Sequence, residues 1–541
     1  MTQEIQKNTV VLFKGKSYPD DSLRDQRRTA IIPNALIAIA APLRDAGWRV
    51  EIVDQHDPVE KVYAALKPIL GRAVCVGISA LTGHEIAEGL RLSRLIKESH
   101  PELPIIWGGW HVSILPDESI KSACVDIVVR GLGQIVFPKL VNALANGQDL
   151  AGIPGVLFKK DSRVIRTQED KSAGLADVPL PAFDLLDLDF YREQSLMLRR
   201  KPVINQIPIT GYLYYVTSFG CPCQCAFCCN DVLFQRRSYA YPVEKVVDQL
   251  KWLVEEKGFN SIGLIDANFF VNIERVKRFC QLIIEKKIPF VWDAQMHVDD
   301  ILRYEKKGVL KLLKDSGCYR VNVGSESGSQ EILDYIRKNI TVEQTIESAR
   351  LLKKYDIEAA YNFLFRLPKV EEHRHLNESF RLAQALKEID PEISLPVSFY
   401  VPFPGTPMYR DALARGLQMP DTLEGWGDFD SNYDRASRQS FAWRSAERED
   451  LITRVMMFYI PLAVPGNMHR GTLVRVRDKM KTSKFRVFIW AGHWLAKLRL
   501  KYAFFGFPFE IGIYKFFHNL RGGQEYVPGG KCDVGKPAES D

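Results

Sequence analysis

Short, largely apolar runs alternate with longer stretches in which apolar residues recur every three or four positions through the first 150 residues. The short runs, at 9–13, 49–53, 73–78, 104–109 and 126–129, predict strands, and the apolar run at 9–13 reads as a buried one. The longer stretches, at 33–47, 59–70, 86–98 and 135–144, predict helices. Strand–helix alternation of this kind predicts a doubly wound, flavodoxin-like parallel sheet over residues 8–150. Ligands of such sheets lie beyond the carboxyl ends of the strands. Here those ends are 14–21, 79–83, 108–111 and 130–134.

A small hairpin is expected at 151–166, inside a linker spanning 151–205 that contains Val178-Pro179-Leu180-Pro181. From residue 211 the alternation resumes, with strands at 212–217, 261–265, 290–294, 319–324, 359–365 and 393–401. Helices are expected at 243–257, 272–286, 302–317, 342–355 and 378–388. Six strands with intervening helices predict a partial (β/α)6 barrel over 206–430, again with function at the strand carboxyl ends. A helical extension follows over 431–521, with a helix at 446–460, and then a disordered tail at 522–541.

Composition is that of an ordinary globular α/β protein, 46 % hydrophobic and 26 % charged. No apolar segment approaches the roughly 18 residues of a membrane span, and the first residues lack a signal-peptide pattern. Both points suggest a cytoplasmic setting with reduced thiols. The net charge of +7 gathers near the end: residues 470–521 hold twelve Lys or Arg against two acids, interleaved with aromatics. Such a segment can lie on a membrane surface, or cover the barrel mouth with its basic residues facing water. No nucleic-acid recognition fold accompanies the charge, so nucleic acid is not expected.

The chemistry concentrates in Cys221-Pro222-Cys223-Gln224-Cys225-Ala226-Phe227-Cys228-Cys229. Cys221, Cys225 and Cys228 form C-x3-C-x2-C at the end of the first barrel strand. Three thiolates on one loop can cap three irons of a four-iron cluster, and the fourth iron is left open to a small molecule. A zinc site would more usually show two separated C-x2-C pairs, and disulfides are unexpected in a reducing compartment. Cys223 and Cys229 are read as incidental.

The cysteine run resembles the signature of the radical S-adenosylmethionine (SAM) superfamily. The resemblance implies a 4Fe-4S cluster whose open iron chelates SAM, reductive cleavage to a 5'-deoxyadenosyl radical, and an external flavodoxin- or ferredoxin-type electron donor. It places Asp266 and Asn268 at the SAM amino group and Phe227 on the adenine. Gly324-Ser325-Glu326-Ser327-Gly328 looks like a Gly-x-Glu-Ser-Gly turn. In it Glu326 and Ser327 would contact SAM, although Glu326 can equally serve as a helix N-terminal carboxylate. Pro402 to Pro407 resembles a closing structural turn, and Arg366 stands near the substrate space.

The first domain is similar to the cobalamin-binding domain of one radical SAM subfamily. Its counterparts here are Ser79, Ala80, Leu81 and Thr82, then Gly108, Gly109 and His111 with Pro116-Asp117, then Arg130, Gly131, Gly133 and Gln134. Two acids usual in the last turn are replaced. Asp54-Gln55-His56 imitates a cobalt-binding segment of other cobalamin enzymes, but it follows the second strand and Val59 stands where Gly belongs. Cobalt without a protein histidine ligand is therefore expected.

Together these features suggest a cobalamin-dependent radical SAM methyltransferase acting on an unactivated carbon of a small or hydrophobic metabolite, such as a lipid or tetrapyrrole. The alternative with the same cofactors is oxidative cyclisation or ring rearrangement. A methylthiotransferase would need three N-terminal cysteines, and only Cys75 and Cys124 precede Cys221. A non-catalytic corrinoid or iron–sulfur sensor is the remaining reading. No catalytic acid or base stands out.

Overall fold

The structure, a computed structural model, describes residues 7–17, 31–170, 174–198, 201–368, 373–429, 451–452, 454–463, 486–502 and 504–505. In β1 (Thr9–Lys14) the residues 10–13 are all buried, and they divide between two cores. Val10 and Leu12 pack with the helices Asn34–Asp45 and Gly133–Ala145. Val11 and Phe13 pack with Val59–Leu70 and His84–Ser99. A strand covered on both faces needs a continuous apolar run, and the sequence has one. The remaining strands are β2 (Arg49–Asp54), β3 (Ala73–Ser79), β4 (Ile105–Gly108), β5 (Ile127–Val129), β6 (Val156–Lys160) and β7 (Arg163–Arg166). Their order is β2-β1-β3-β4-β5-β6-β7. The first five are parallel, and the expected hairpin β6–β7 continues the sheet antiparallel. Strand order reverses at β1 and β3, which opens the ligand crevice beyond their carboxyl ends.

The linker contains a helix not expected from sequence, Leu188–Leu198, and a short hairpin of β8 (Val203–Ile204) and β9 (Ile207–Pro208). The second sheet is built from β10 (Tyr212–Tyr215), β13 (Ser261–Leu264), β14 (Val291–Met296), β15 (Cys318–Glu326), β16 (Glu358–Phe365) and β17 (Val397–Phe399), in that order and all parallel. Between β10 and β13 the chain forms a two-strand flap, β11 (Ser218–Phe219) with β12 (Tyr239–Ala240). This is the expected partial barrel, with two differences. The helix expected at 302–317 is two helices, Val298–Lys306 and Leu310–Asp315, because Gly308 at φ +67° turns the chain between them. The helix Gln330–Tyr335 was not expected, being six residues long and too short to show periodicity.

The domains are joined by more than the linker. Asn34 Nδ2 donates to the Tyr214 carbonyl (3.3 Å), Tyr191 donates to Asp54 (2.9 Å), and Ile32 and Ile37 are buried in the barrel's core. The helix Leu423–Asp428, assigned by sequence to the barrel domain, instead packs on the first domain. Leu423, Trp426 and Phe429 are buried there against the helix His84–Ser99. Three large apolar side chains within seven residues need a core, and the first domain supplies it. Of the extension, Arg486–Tyr502 is helical as expected. The tail at 522–541 lies outside the described residues.

Candidate active site

The cysteine loop is held at three points. Gly220, at φ +82°, lets the chain turn where any Cβ would overlap the Arg237 carbonyl. Ala226 N–H donates to Ile336 O (2.8 Å), and Ala226 O accepts from Met408 N–H (3.1 Å) in the turn after Pro402 to Pro407. Beneath the loop Asp266 is buried, and it accepts from Thr217 N–H (2.7 Å) and from the hydroxyls of Thr217 and Ser218 (2.5 Å each). Burial raises its pKa above the usual carboxylate value, against those bonds. Asn268 donates to Asp300 (3.0 Å) and accepts from Phe270 N–H (2.9 Å). Asp266 and Asn268 thus brace the loop's base through protein partners, and Phe227 packs against the barrel core.

Cys221, Cys225 and Cys228 are half-buried, Cys229 is buried, and the cysteines among the described residues are all free. A hydrogen bond from Cys223 holds the Cys221 thiol below its usual pKa, while burial pushes Cys225 and Cys229 up to about 12. Asn230 Nδ2 donates to Cys228 Sγ (3.4 Å). Among the described residues no three His, Cys or acidic groups converge on a point that one metal ion could fill.

The longest strand, β15, ends with a register shift between Gly324 and Glu326, and Glu326 has φ +59°. This bulge aims the buried Glu326 carboxylate at Lys338, whose Nζ is 2.9 Å away and also buried. A Cβ on Gly324 would overlap Glu326 Oε1 and come 2.6 Å from Lys338 Nζ. Despite burial, Glu326 and then Cys225 hold Lys338 protonated, so one cation stands beside the thiols. Ser327, expected at SAM, is instead buried in the turn, where it meets Ser379 (3.1 Å) and accepts from Ser329 N–H (3.1 Å). His297, at the end of β14, caps the next helix by accepting from Asp299 N–H (3.3 Å), and burial lowers its pKa to about 4. Arg366 lays its guanidinium 3.7 Å from the centre of the Phe399 ring. Sequence reading missed Lys338 and His297: a lysine after an arginine reads as a solvated face, and no spacing marked the histidine.

On the first domain, Ser79, Leu81, Thr82, Gly108 and Gly131 sit at the strand ends. A Cβ on Gly108 or Gly131 would meet nothing within 4 Å, and Leu81 is 41 % exposed. Bare backbone beside an exposed leucine leaves room for a flat macrocycle. Glu85 fixes this rim, accepting from Ser17 (2.5 Å) and from Leu81 N–H (3.3 Å). Gly109 has φ +102°, and a Cβ there would come 2.8 Å from Ala80 O. Several expected contacts turn inward. Ala80 and His111 are buried; His111 bonds to Thr82 (3.0 Å), lies edge-on to Trp426, and is held neutral by burial, with its pKa lowered to about 4. Arg130 is tied to Glu169 (2.8 Å) and to the Thr167 carbonyl (2.8 Å). Gly133 faces Ile39, and Gln134 is buried at the start of its helix. Ala80, His111 and Gln134 lie behind the rim, whereas Arg130 lines the cleft between the domains. His56 sits 3.7 Å from Asp54 and against Phe190.

The two loop clusters meet. The helix Asn230–Phe234, which follows the cysteines, lies against the helix Trp110–Ile114, which follows Gly109. Beside them a shallow cleft opens between the domains, walled by Arg130, Gly131 and Leu132 on one side and by Leu233, Phe234 and Tyr239 on the other.

Residues 23–141 match the model of the B12 binding domain, and residues 215–379 that of the radical SAM superfamily. The chain is 29 % identical to an uncharacterised methyltransferase of Pyrococcus horikoshii over 63 % of this chain and 70 % of the relative. It is 29 % identical to an anaerobic magnesium-protoporphyrin IX monomethyl ester cyclase of Synechocystis, over 60 % of this chain and 62 % of the relative. The fold is that of the cobalamin-dependent SAM radical enzyme OxsB, solved with aqua-cobalamin and SAM bound. There the TM-score is 0.65 at 16 % identity, covering 95 % of this chain and 75 % of that one.

Proposed function

We propose, for a chain that belongs to the cobalamin-dependent radical SAM enzymes, that it transfers a methyl group to an unactivated carbon of a small or hydrophobic metabolite. The observation that carries this reading is the meeting of the two strand-end loop clusters, because methyl donor and substrate radical must come within bonding distance. When bound, the cluster and SAM supply a hydrogen-abstracting radical, and cobalamin supplies the methyl group. In this reading Cys221, Cys225 and Cys228 hold the irons, and Lys338 offsets their charge. Glu326, set by Lys338, accepts from SAM hydroxyls or its ammonium, and Phe227 supports the adenine. Leu81, Gly108 and Gly131 lie against the corrin, with Leu81 giving cobalt an apolar face and no histidine.

The second reading, oxidative cyclisation, is favoured by the cyclase relative. One assay separates the two. The anaerobic, cofactor-loaded protein is incubated with deuteromethyl-SAM, a reductant and candidate substrates. A product that gains one labelled CH2 equivalent, with 5'-deoxyadenosine and S-adenosylhomocysteine formed alongside, supports methyl transfer. A product that loses hydrogen and gains no label supports cyclisation and sinks the first reading.

A further inference from the structure

We infer that Tyr241 and Gln134 form the contact through which corrinoid bound to the first domain positions the cysteine loop for SAM. The inference rests on the two-cofactor reading above and holds for either reaction. Residues 218–240 carry Cys221, Cys225 and Cys228, and this loop is tied at its neck. Ser218 pairs with Ala240 and Phe219 with Tyr239 in the flap, and Tyr241 N–H donates to the Thr217 carbonyl (3.1 Å). Arg275, on the helix Ile273–Glu285, reaches both sides of the neck with one nitrogen. Its Nη2 donates to Thr217 Oγ1 (3.0 Å), to the Thr217 carbonyl (3.3 Å) and to the Tyr241 carbonyl (3.4 Å). The Thr217 hydroxyl passes the tie on to Asp266. The Tyr241 ring also meets Phe219 edge-on, with ring centres 6.4 Å apart, just ahead of Cys221. Tyr241 therefore moves together with the start of the cysteine loop.

The other end of the contact belongs to the corrin rim. Gln134 lies in the first turn of the helix Gly133–Ala145, directly after the bare backbone of Gly131. The same turn is docked on the barrel, where Leu132 and Ile135 pack partly buried against its core. Gln134 and Tyr241 are both buried. Burial raises the pKa of the Tyr241 hydroxyl, and the Gln134 amide beside it draws that rise back in part, so the two side chains meet across the domain boundary. Neither Gln134 Nε2 nor the Tyr241 hydroxyl has a hydrogen-bond partner elsewhere. Two buried polar groups so placed gain by bonding to each other, and a small shift of the turn 130–134 tightens or loosens that bond. A corrin seated on Gly131 fixes the turn, and through Gln134 it fixes Tyr241 and the neck of the loop. The contact keeps the radical-forming centre in step with the corrinoid, because SAM is held well only when the corrinoid is in place.

The test is equilibrium dialysis of SAM against the full chain with its cluster reconstituted anaerobically and left unreduced, with and without hydroxocobalamin. Without a reductant SAM is bound but not cleaved. Hydroxocobalamin should tighten SAM binding about fivefold or more. Tyr241→Phe, which removes only the hydroxyl, should keep iron and corrinoid content and cut that factor to below about twofold. Gln134→Leu should do the same from the other domain, and Tyr241→Phe/Gln134→Leu should lose nothing further. Should Tyr241→Phe lose iron, Gln134→Leu alone decides. Equal SAM affinity with and without hydroxocobalamin would overturn the inference. So would a coupling that survives in both variants, because corrin and SAM would then be in direct contact. A chain that takes up no corrinoid would instead sink the two-cofactor reading.

Discussion

Lys338 and Glu326 are a buried pair beside the cysteines, and each is costly without the other. Removing one partner of such a pair leaves an unpaired buried charge, which costs about 3–5 kcal/mol, whereas replacing both with apolar groups recovers much of that. Lys338→Met should therefore lower the thermal midpoint clearly, and Lys338→Met/Glu326→Leu should regain stability while still failing to bind SAM. Equilibrium dialysis with SAM and anaerobic calorimetry check the two halves. At His111 the effect is on pH. The ordinary histidine value is 6.5, and burial lowers it here to about 4. Below about pH 6.5 the unfolded chain takes up a proton that the fold refuses until about pH 4. Stability should fall through that window by up to about 3 kcal/mol and level off below it. Melting curves between pH 7 and pH 4 should be flatter for His111→Phe than for the unaltered chain. The cysteine type and spacing were legible in sequence. The side-chain directions of His111, Ser327 and Asp266 were not, because they depend on which neighbour offers a hydrogen bond.

Helices and strands were read most reliably where burial is uniform along the element. The five parallel strands of the first sheet are buried or half-buried almost throughout, and, the edge strand Arg49–Asp54 apart, their largely apolar runs announced them. Elements shaped by a partner were harder. Leu423–Asp428 is six residues long, and its three apolar anchors say only that some core must receive them. The structure gives them to the first domain, where Trp426 lies edge-on to His111 and reaches the helix His84–Ser99. This helix is thus a strap returning from the barrel to the cobalamin-binding domain. Trp426→Ala should cost about 3–5 kcal/mol, concentrated in the first domain. Hydrogen–deuterium exchange should quicken along His84–Ser99 and at 79–83, with the barrel helix Val342–Lys354 unchanged. Equal acceleration in both domains would show that the strap stabilises the whole chain instead.

Over the whole molecule, the proposed methyl transfer would depend on two loop clusters facing each other, held by the domain contacts at Asn34–Tyr214, Tyr191–Asp54 and Asn230–Phe234 against Trp110–Ile114. Protein purified without oxygen from cobalamin-fed cells should hold about one corrinoid and about four irons. Single alanine substitutions at Cys221, Cys225 or Cys228 should remove most of the iron and leave the corrinoid. Cys223→Ala and Cys229→Ala should keep both. Metal analysis and the corrinoid absorption spectrum read the two independently. Iron retained in any of the first three variants would reassign the ligands.

The sequence by itself determined the two α/β units, their order and the cluster loop. Strand–helix alternation follows from local burial, and the C-x3-C-x2-C spacing acts within a single loop. Tertiary structure alone decided which charged groups share the low-dielectric space beside that loop. Lys338 and Glu326 are twelve positions apart and meet only because β15 bulges at its end. It also decided that Trp426 belongs to a core more than three hundred residues earlier, and that Ala496 and Arg499 of the helix Arg486–Tyr502 are buried. These outcomes depend on long-range packing, which pairs residues by shape and available space, and a linear pattern of apolar and polar positions carries no record of either.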